Sequence, residues 1–572
     1  MIEIVIKRDG REEEYIPAKV SDWGKWMSKQ FGANWIPIVQ KTERRANAIA
    51  AENDGKIKSS ELQEILIDEC LRLKDYKGYM MAGKLFGAEL GKIIYKGEGY
   101  PSLKELHSRM AEAGILKPMD YTEEEMEDLN NHINHKLDLL AIHYSTEFFR
   151  IKYSLKDLIK GVEYETPQFT LMRMAMALAV EDPNRVEMAK MFYDMFSGNG
   201  LYHNGHIPMK LLSAPSPNYT NLGTYSQTYA SCLLYQIPDT IPGLTAAMSI
   251  AHEMTAAGAG LGASIRTRSL GDGVRGGTVI HQGKLPYLKV HAAASKANKQ
   301  QSRGGALNIQ YGICDPEVET LIHLRNPRTP AANRNRGIHF GWMDTTFIAE
   351  KVAKNESVFL FNDHSAPDLA QAFFSGDDKL FRELYAKYEA DDSFKKTYRN
   401  ARDLVLAATG EGIHTGTVYY ANLYEMNHHT PFKEYIDSSN LCMEITQPKH
   451  GYTHPRYLYD PTDHGQGEAS TCNLGGINVS FLDFTPENDE LYAKAAYTAL
   501  KMIDRTINLS KFPFEHLNFT SRQRMNAGVG VMGVATLMAR NKMKYTTEEG
   551  RNFMHRIAER HSYHLIRASL RI

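Results

Sequence analysis

Several features that would point to particular protein classes are scarce or absent in this sequence. The 572 residues include only five cysteines and no CxxC pair, which is too few for a disulfide framework and fits a reducing compartment. No apolar run is long enough to span a membrane, and Met1–Gly10 lacks the basic and apolar segments of a signal peptide. The 67 Lys and Arg residues nearly balance the 68 Asp and Glu residues, so no strong overall field would recruit nucleic acid or an anionic membrane. We therefore expect a cytoplasmic protein whose partners are recognised at specific sites.

The rest of the composition is that of an ordinary globular protein with several domains, since 42% of the residues are hydrophobic and 24% are charged. A first domain is predicted over residues 1–95. Apolar and polar residues alternate over Ile2–Ile6, and Asp9–Gly10 is a hairpin turn signal. A helix is predicted to begin at Ser60, and helical periodicity continues to about Lys92.

Two longer regions follow this domain. Residues 96–215 are predicted to be largely helical, with apolar side chains recurring on one helix face. Over residues 216–572, short apolar strands such as Gly528–Val534 alternate with amphipathic helices. This alternation predicts an α/β domain with mostly parallel strands.

The segment Ser439–Ile445 combines an amide, a thiol and a carboxylate within a few residues. If the segment is extended, Asn440, Cys442 and Glu444 lie on one face. The carboxylate could then take a proton from a substrate hydroxyl that the amide orients, and the sulfur could act as nucleophile, metal ligand or one-electron centre. A cysteine between apolar residues is more often a small buried side chain than a reactive one. This motif alone therefore does not show whether Cys442 is reactive.

Two further cysteine motifs lie at Ser231–Cys232 and at Cys472–Leu474. In order and spacing, the three motifs together resemble the active-site cysteines of class I ribonucleoside-diphosphate reductase large (alpha) subunits, and the resemblance extends along the whole chain. It implies a ten-stranded α/β barrel with a radical cysteine on a central loop. Residues 216–572 would form part of that barrel, incomplete at the C-terminus.

The resemblance also implies how the reaction is divided among the side chains. Cys442 would be the thiyl radical that removes the 3′ hydrogen of a ribonucleotide. Cys232 and Cys472 would be the dithiol that reduces the 2′ carbon and closes to a disulfide. Glu444 would act as base toward the 3′ hydroxyl, and Asn440 would hydrogen-bond and position the substrate.

A glycine-rich segment, Gly258–Ala263, also fits the dinucleotide fingerprint GxGxxA. That fingerprint needs a preceding strand and an acidic residue about twenty positions on, whereas here a helical pattern precedes and the nearest downstream acid is Asp272. The family resemblance instead makes Gly260 a backbone contact of the substrate, together with Ser231.

Nucleotide effectors are expected at two places. The family's site for substrate choice falls on Asp239, Arg268 and Arg275, where the arginines could hold phosphates, and a loop near Gln300–Ala306 would relay the signal. A solvated loop arginine is the alternative interpretation.

At the N-terminus, Val5–Gly10 resembles the ATP-cone, a domain that senses ATP and dATP. The residues at its matching positions are Lys7, Glu13, Lys19, Ser59 and Lys92. Two positions depart from the pattern, with Ile16 where an asparagine is expected and Gln63 where a histidine is expected. These departures leave inhibition by dATP open.

The chain itself is expected to bind no metal. The pairs His203 and His206, His428 and His429, and His450 and His454 show no helical HxxxH with a supporting carboxylate. The expected partners are a small (beta) subunit that supplies the radical from its own metal, thioredoxin or glutaredoxin as reductant, and a second large subunit.

Members of the family continue beyond the point that corresponds to the end of this chain. We therefore hypothesise that a C-terminal polypeptide completes the barrel and the active site in trans, because exposed strand edges and apolar surface are poorly tolerated. The alternatives are a cobalamin-dependent reductase, a catalytically silent nucleotide-binding regulator and an inactive product of gene disruption.

Overall fold

The computed structural model describes residues 1–96, 99–205, 207–300 and 303–572. The chain forms two compact units. Unit 1 contains residues 1–225, 476–501 and 531–572, and unit 2 contains residues 226–475 and 502–530. No helix in the described ranges combines the length and the apolar character needed to cross a membrane.

The elements of residues 1–225 are β1 (Ile4–Ile6), β2 (Glu12–Glu14), α1 (Pro17–Ser28), α2 (Ile36–Ala51), β3 (Lys56–Lys58), α3 (Ser59–Leu71), α4 (Tyr76–Ile94), α5 (Leu103–Glu112), α6 (Glu123–His132), α7 (His143–Lys152), β4 (Lys156–Asp157), β5 (Val162–Glu163), α8 (Pro167–Ala179), α9 (Arg185–Ser197), β6 (Tyr202–His203), β7 (Ile207–Pro208), β8 (Leu212–Ser213) and α10 (Ser216–Asn221).

The elements of residues 226–475 and of the strand that continues past them are β9 (Cys232–Ile237), α11 (Ile241–Ala256), β10 (Gly260–Ile265), β11 (Gly273–Val274), β12 (Val279–Ile280), α12 (Leu285–Lys296), β13 (Lys299–Gln300), β14 (Arg303–Gly304), β15 (Leu307–Gly312), α13 (Val318–Ile322), β16 (His339–Asp344), α14 (Thr346–Lys354), β17 (Ser357–Phe359), α15 (Pro367–Phe374), α16 (Asp378–Ala390), β18 (Tyr398–Asn400), α17 (Ala401–Thr415), β19 (Val418–Asn422), α18 (Leu423–His428) and β20 (Ser470–Asn478).

The elements of the remaining residues are α19 (Pro486–Leu509), α20 (Glu515–Arg524), β21 (Ala527–Met532), α21 (Val534–Arg540) and α22 (Glu548–Ser569).

The N-terminal part of unit 1 is a small sheet covered by four helices. Strand β1 lies between antiparallel β2 and parallel β3, so Val5 faces both Glu13 and Ile57 in the register. The hairpin predicted at Asp9–Gly10 is therefore present, and α3 begins within one residue of the predicted Ser60. Apolar side chains of α1 to α4 close one core beside this sheet.

The middle of unit 1 is helical, as predicted, and its central helix α8 is buried on all sides. A polar side chain in such a helix must be paired, because an unpaired buried charge is costly. Arg173 of α8 donates to Glu165 through Nε at 2.7 Å, and both side chains are fully buried. The same guanidinium also donates to backbone carbonyls of Tyr219 and Leu222.

Unit 2 contains an open sheet backed by helices. The main hydrogen-bonded path across the sheet runs in the order β19, β16, β15, β10, β9, β20, β21, and the five strands from β19 to β9 run parallel. Strand β20 is antiparallel to β9. The predicted α/β fold class with mostly parallel strands is confirmed.

The two faces of this sheet differ sharply in chemistry. On one face, large apolar side chains such as Leu233, Leu261, Ile309 and Phe340 pack in the main core. The other face, which we call the polar face, carries small and polar residues. Its members across the register are Cys232, Leu234 and Gln236 of β9, Gly260, Gly262 and Ser264 of β10, Asn308 and Gln310 of β15, His339 and Gly341 of β16, and Tyr419 of β19.

Candidate active site

A loop that we call the cysteine loop, residues 437–449, carries the central motif and ends in a tight turn. The extended conformation assumed for Ser439–Ile445 is wrong, because residues 441–443 form a turn and an antiparallel bridge joins Ser439 to Thr446. Met443 has φ of +68°, a left-handed conformation that is strained for a side chain of this size.

Asn440 closes the turn with its side chain. Its Oδ1 accepts hydrogen bonds from the backbone N–H groups of Glu444 at 3.0 Å and Ile445 at 3.1 Å. Asn440 is fully buried as a result, whereas Cys442 and Glu444 are exposed at the tip. The motif thus presents its thiol and carboxylate through turn geometry and not through strand alternation.

The polar face of the sheet holds this loop along its length. Gln310 donates to the Ser439 carbonyl and accepts from the Ser439 N–H, both at 2.8 Å. Asn308 Nδ2 donates to the Leu441 carbonyl at 3.3 Å. A Cβ atom on Gly262 would lie only 2.3 Å from the Ser439 carbonyl oxygen, so β10 needs glycine there for the loop to pass.

A buried charge pair joins the two ends of the loop. Lys449 Nζ donates to Asp437 Oδ1, and both side chains are fully inaccessible to solvent. Gln236 Nε2 at 2.7 Å and Ser264 Oγ at 2.8 Å donate to the other carboxylate oxygen. Burial alone would raise the pKa of Asp437, but the charges of Lys449 and Arg266 and the hydrogen bonds from Lys449 and Gln236 lower it below its usual value. Asp437 therefore stays ionised and ties the loop to β9 and β10.

Cys232 and Cys472 face each other across the antiparallel pair of β9 and β20. Directly opposed residues in such a pair have Cα atoms about 4.5 to 5.5 Å apart, which is within the range that a disulfide requires. Burial raises the pKa of the Cys232 thiol to about 11 and that of Cys472 well above its usual value. Both are therefore protonated thiols near neutral pH, and no disulfide joins any of the five cysteines.

The cysteine loop and the thiol pair meet at one place. Negative charge on Glu444 and on Cys442 further raises the pKa of both Cys232 and Cys472, so the four groups lie within electrostatic range of one another. Asn440 Nδ2 lies close enough to Cys232 to lower its pKa. This nitrogen is buried and has no well-formed hydrogen bond among the described residues.

The two predicted backbone contacts lie at the same place. Gly260 donates its N–H to the Ser231 carbonyl at 2.8 Å, and Ser231 Oγ donates to the Cys472 carbonyl at 3.5 Å. A Cβ atom on Gly260 would lie 2.7 Å from Leu441 and 3.5 Å from the Cys232 sulfur. Gly260–Ile265 is itself strand β10 and follows helix α11, which agrees with the rejection of a dinucleotide fingerprint.

Several residues that hold the site were missed by reasoning from the sequence. These are Gln236, Gly262, Asn308, Gln310, Asp437 and Lys449. A signal for four of them was available, because polar or glycine residues at alternate positions interrupt the apolar strands β9, β10 and β15. The pairing of Asp437 with Lys449 has no such local signal.

The residues predicted to choose the substrate lie around the hairpin of β11 and β12. Arg268 donates its backbone N–H and its Nε to the carboxylate of Asp239 at 2.9 and 2.8 Å, and its Nη1 donates to the Gly273 carbonyl. Arg275 is exposed in the turn of the hairpin, with φ of +52°. Of the loop Gln300–Ala306, residues 301–302 lie outside the described residues.

The residues predicted at the ATP-cone line one cavity of about 930 Å³ in unit 1. All five line it, namely Lys7, Glu13, Lys19, Ser59 and Lys92, as do the two departures Ile16 and Gln63. Glu13 lies 3.2 Å from Lys7 Nζ and 3.1 Å from Lys19 Nζ, and these two ammonium groups lower its pKa. The cavity therefore has a charged side built from β1, β2 and α1.

The described residues contain no group of three or more His, Cys, Asp or Glu side chains that could hold a metal ion. Of the histidine pairs considered, His206 lies outside the described residues, and His203 stacks on Phe481 with ring centroids 4.5 Å apart.

Comparison with known proteins gives a consistent picture. The family model described as "Ribonucleotide reductase, barrel domain" matches residues 230–572, more than half of the chain, and the model "Ribonucleotide reductase, all-alpha domain" matches residues 143–214. The chain is 30% identical over 581 residues to "Ribonucleoside-diphosphate reductase 1 subunit alpha" of Escherichia coli, covering 99% of this chain and 72% of that protein. It is 27% identical over 584 residues to the alpha subunit of Haemophilus influenzae, covering 100% of this chain and 73% of that protein. The alpha subunit of Enterobacteria phage T4 is 27% identical over 583 residues, with coverage of 99% and 72%.

Proposed function

Since this chain belongs to the ribonucleotide reductase alpha-subunit family, we propose that it carries the cysteines that reduce ribonucleoside diphosphates to deoxyribonucleoside diphosphates. The observation that carries the proposal is the convergence of Cys442, Glu444, Cys232 and Cys472 around Asn440, whose buried Nδ2 has no well-formed hydrogen bond among the described residues. A buried donor without a partner is costly, so a substrate hydroxyl is a natural acceptor for it.

In the proposed reaction, each of these groups has a separate role. A thiyl radical at Cys442 removes the 3′ hydrogen atom of the ribose, while Glu444 takes the proton of the 3′ hydroxyl. The 2′ hydroxyl leaves as water after it gains a proton from the thiol pair. Cys232 and Cys472 together supply two electrons and two protons and become a disulfide. Cys442 finally returns the hydrogen atom to the 3′ carbon, and Glu444 returns its proton to the 3′ oxygen.

The burial of the thiol pair supports this assignment. The raised pKa of both thiols keeps them protonated near neutral pH, so that hydrogen is available on sulfur when the radical intermediate forms. The opposed position of the two residues across β9 and β20 places their Cα atoms within the separation that a disulfide requires. Ser231 and Gly260 would contact the substrate beside this pair.

The partners and effectors belong to the same proposal. A beta subunit with its own metal would supply the radical, and thioredoxin or glutaredoxin would reduce the disulfide. ATP and deoxynucleotides would act as effectors at two sites. One is the cavity that contains Lys7, Glu13, Lys19, Ser59 and Lys92, and the other lies at Asp239, Arg268 and Arg275.

We extend the proposal to the organisation of the protein. Residues 1–95 would form the ATP-cone, residues 96–215 a helical region and residues 216–572 the incomplete barrel. A dimer of large subunits is expected. A C-terminal polypeptide that corresponds to the part of the relatives outside the aligned region would complete the barrel in trans.

A turnover assay tests the proposal. The full chain is mixed with the beta subunit, a dithiol and ribonucleoside diphosphate, with and without the C-terminal polypeptide, and deoxyribonucleotide is measured. We expect product only in the complete mixture and a loss of at least a thousandfold for Cys442→Ser. Cys314→Ala is the control, because Cys314 is a buried thiol in the main core of the same unit.

Product formation at the wild-type rate by Cys442→Ser would overturn the assigned role of this thiol. Product in the absence of the C-terminal polypeptide would overturn completion in trans. If no mixture forms deoxyribonucleotide, the result would favour a regulatory protein that binds nucleotides without turnover.

A further inference from the structure

The cavity of unit 1 has an aromatic side as well as a charged one. Trp23 of α1 and Lys92 of α4 both line it, and Lys92 Nζ lies over the Trp23 ring, 4.4 Å from its centroid. A cation at this distance is attracted by the negative face of the ring. One face of Trp23 is therefore directed toward the cavity and carries a long, movable side chain.

Lys92 stands among like charges in this position. Partial burial lowers the pKa of its ammonium group, and the nearby Arg8 and Lys7 lower it further, whereas the carboxylate of Glu89 raises it in part. Among the described residues that line the cavity, six are basic and three are acidic, so the wall has a surplus of positive charge. A polyanion would relieve this repulsion, and an aromatic group attached to the polyanion could stack on the ring of Trp23.

Several polar side chains of the cavity that could hydrogen-bond to the edge of a nucleobase already pair with other protein groups. The carboxylate of Glu13 pairs with two lysines. The Tyr15 hydroxyl donates to Glu43 at 3.1 Å, and Gln63 Nε2 donates to the Leu85 carbonyl at 3.1 Å. Position 16 contributes an isoleucine and no polar group. Stacking on an aromatic ring depends little on base identity, because every base has a π face.

We propose that Trp23 is the base-binding residue of this cavity, that the base takes the place of Lys92 on the ring, and that the site accepts purine nucleoside triphosphates with little distinction between adenine and guanine. The proposal rests on the proposed nucleotide site and goes beyond it, because it names the residue that recognises the base and the breadth of ligands accepted. The displaced ammonium group of Lys92 would join the phosphate-binding lysines.

Binding measurements on the full chain test this without any need for turnover. Equilibrium dialysis is run with ATP, GTP and inorganic tripolyphosphate at one fixed salt concentration. The chain carries Arg268→Ala, which removes the second proposed nucleotide site. We expect ATP and GTP to bind within threefold of each other. Trp23→Leu should weaken both by about five- to a hundredfold, the range that stacking of one base supplies, and leave tripolyphosphate unchanged.

Trp26→Leu is a closely matched control. Trp26 lies three residues further along α1 and has Lys84 Nζ over its ring, also 4.4 Å from the centroid. Among the described residues that line the cavity, neither Trp26 nor Lys84 occurs. The Trp26 ring also packs edge-to-face against the Trp23 ring, with centroids 5.7 Å apart, so this variant measures how far loss of the neighbouring ring and its cation–π pair weakens binding while the Trp23 ring itself is kept.

The outcomes separate this inference from the function it rests on. Nucleotide affinity that is unchanged in Trp23→Leu, or equally reduced in Trp26→Leu, would overturn the role of Trp23 while leaving a nucleotide site in place. A preference of more than tenfold for ATP over GTP would overturn recognition by stacking alone. If neither nucleotide nor tripolyphosphate binds, the effector site and the inference fall together.

Discussion

At the scale of single residues, the site depends on side chains that perform two tasks at once. Asn440 uses its oxygen to close the turn of the cysteine loop and leaves its nitrogen beside Cys232. The thiols are likewise separated by environment, since Cys442 is exposed while Cys232 and Cys472 are buried with raised pKa values. Chemically identical groups therefore differ in reactivity because the fold places them differently.

This difference predicts the order in which the thiols react with iodoacetamide. At pH 8 a thiol with a pKa of about 11 is ionised to about one part in a thousand, and only the thiolate reacts. We expect Cys442 to be alkylated first and labelling of Cys232 to rise as the pH approaches 11. Peptide mass spectrometry after timed labelling measures both rates. Equal rates for Cys442 and Cys232 at pH 8 would contradict the assignment of environments.

At the scale of elements, strand β10 and the cysteine loop approach each other closely because the strand has glycine, which lacks a side chain, where they meet. Gly262 faces the backbone of Ser439 and Asn440, and its neighbours across the register, Asn308 and Leu234, lie on the same polar face. The glycine-rich segment that invited comparison with a dinucleotide fingerprint is explained by this close approach. Gly260 and Gly262 make room for the cysteine loop at this point.

A single methyl group at this position should therefore displace the loop. The Cβ of Gly262→Ala would lie 2.3 Å from the Ser439 carbonyl oxygen and 2.5 Å from backbone atoms of Asn440. Relief of these contacts would require the backbone of the strand or of the loop to move. We expect a loss of 1–3 kcal/mol in the free energy of unfolding, typical of overpacking, and a loss of turnover of at least a hundredfold. Chemical denaturation and the turnover assay measure the two effects.

Gly410→Ala provides the control for this substitution. Gly410 lies inside α17 of the same unit, and its added Cβ would meet nothing within 4 Å. Its replacement should leave turnover unchanged and stabilise the helix by up to about 1 kcal/mol. If Gly262→Ala were as active as Gly410→Ala, the close approach of loop and strand would not matter for the reaction.

At the scale of the whole molecule, the chain consists of two compact units, and the sheet of unit 2 is part of a barrel. Strands β19 and β21 stand at the two ends of the strand order. Strand ends of this kind present backbone groups that can pair with further strands. The proposed C-terminal polypeptide would supply those strands.

Hydrogen exchange can detect this completion independently of activity. If the polypeptide adds strands to the sheet, amides of Val418–Asn422 and Ala527–Met532 should exchange at least tenfold more slowly when it is present, because new hydrogen bonds protect them. Amides of the central strand β10 serve as the internal reference. Unchanged exchange at both outer strands would rule out addition to this sheet.

Features that depend on local pattern could be predicted from the sequence alone. The alternation over Ile2–Ile6 and the Asp9–Gly10 turn predicted the first hairpin, and the order of the three cysteine motifs indicated the family. The α/β alternation predicted the parallel sheet of unit 2. Such signals are carried by neighbouring residues, so they can be read without knowledge of the fold.

Features that join distant parts of the chain depend on how the chain folds and could not be predicted from local pattern. Gln310 lies 129 residues from Ser439, which it clamps, and no local pattern fixes that partner. The buried residues of α22 include His564, whose Nε2 lies 3.0 Å from a carboxylate oxygen of Asp489 on α19. The conformation of the cysteine loop depends in the same way on contacts with strands far away in sequence. Its turn and its reactive tip exist because long-range packing, and not local preference, holds the backbone in place.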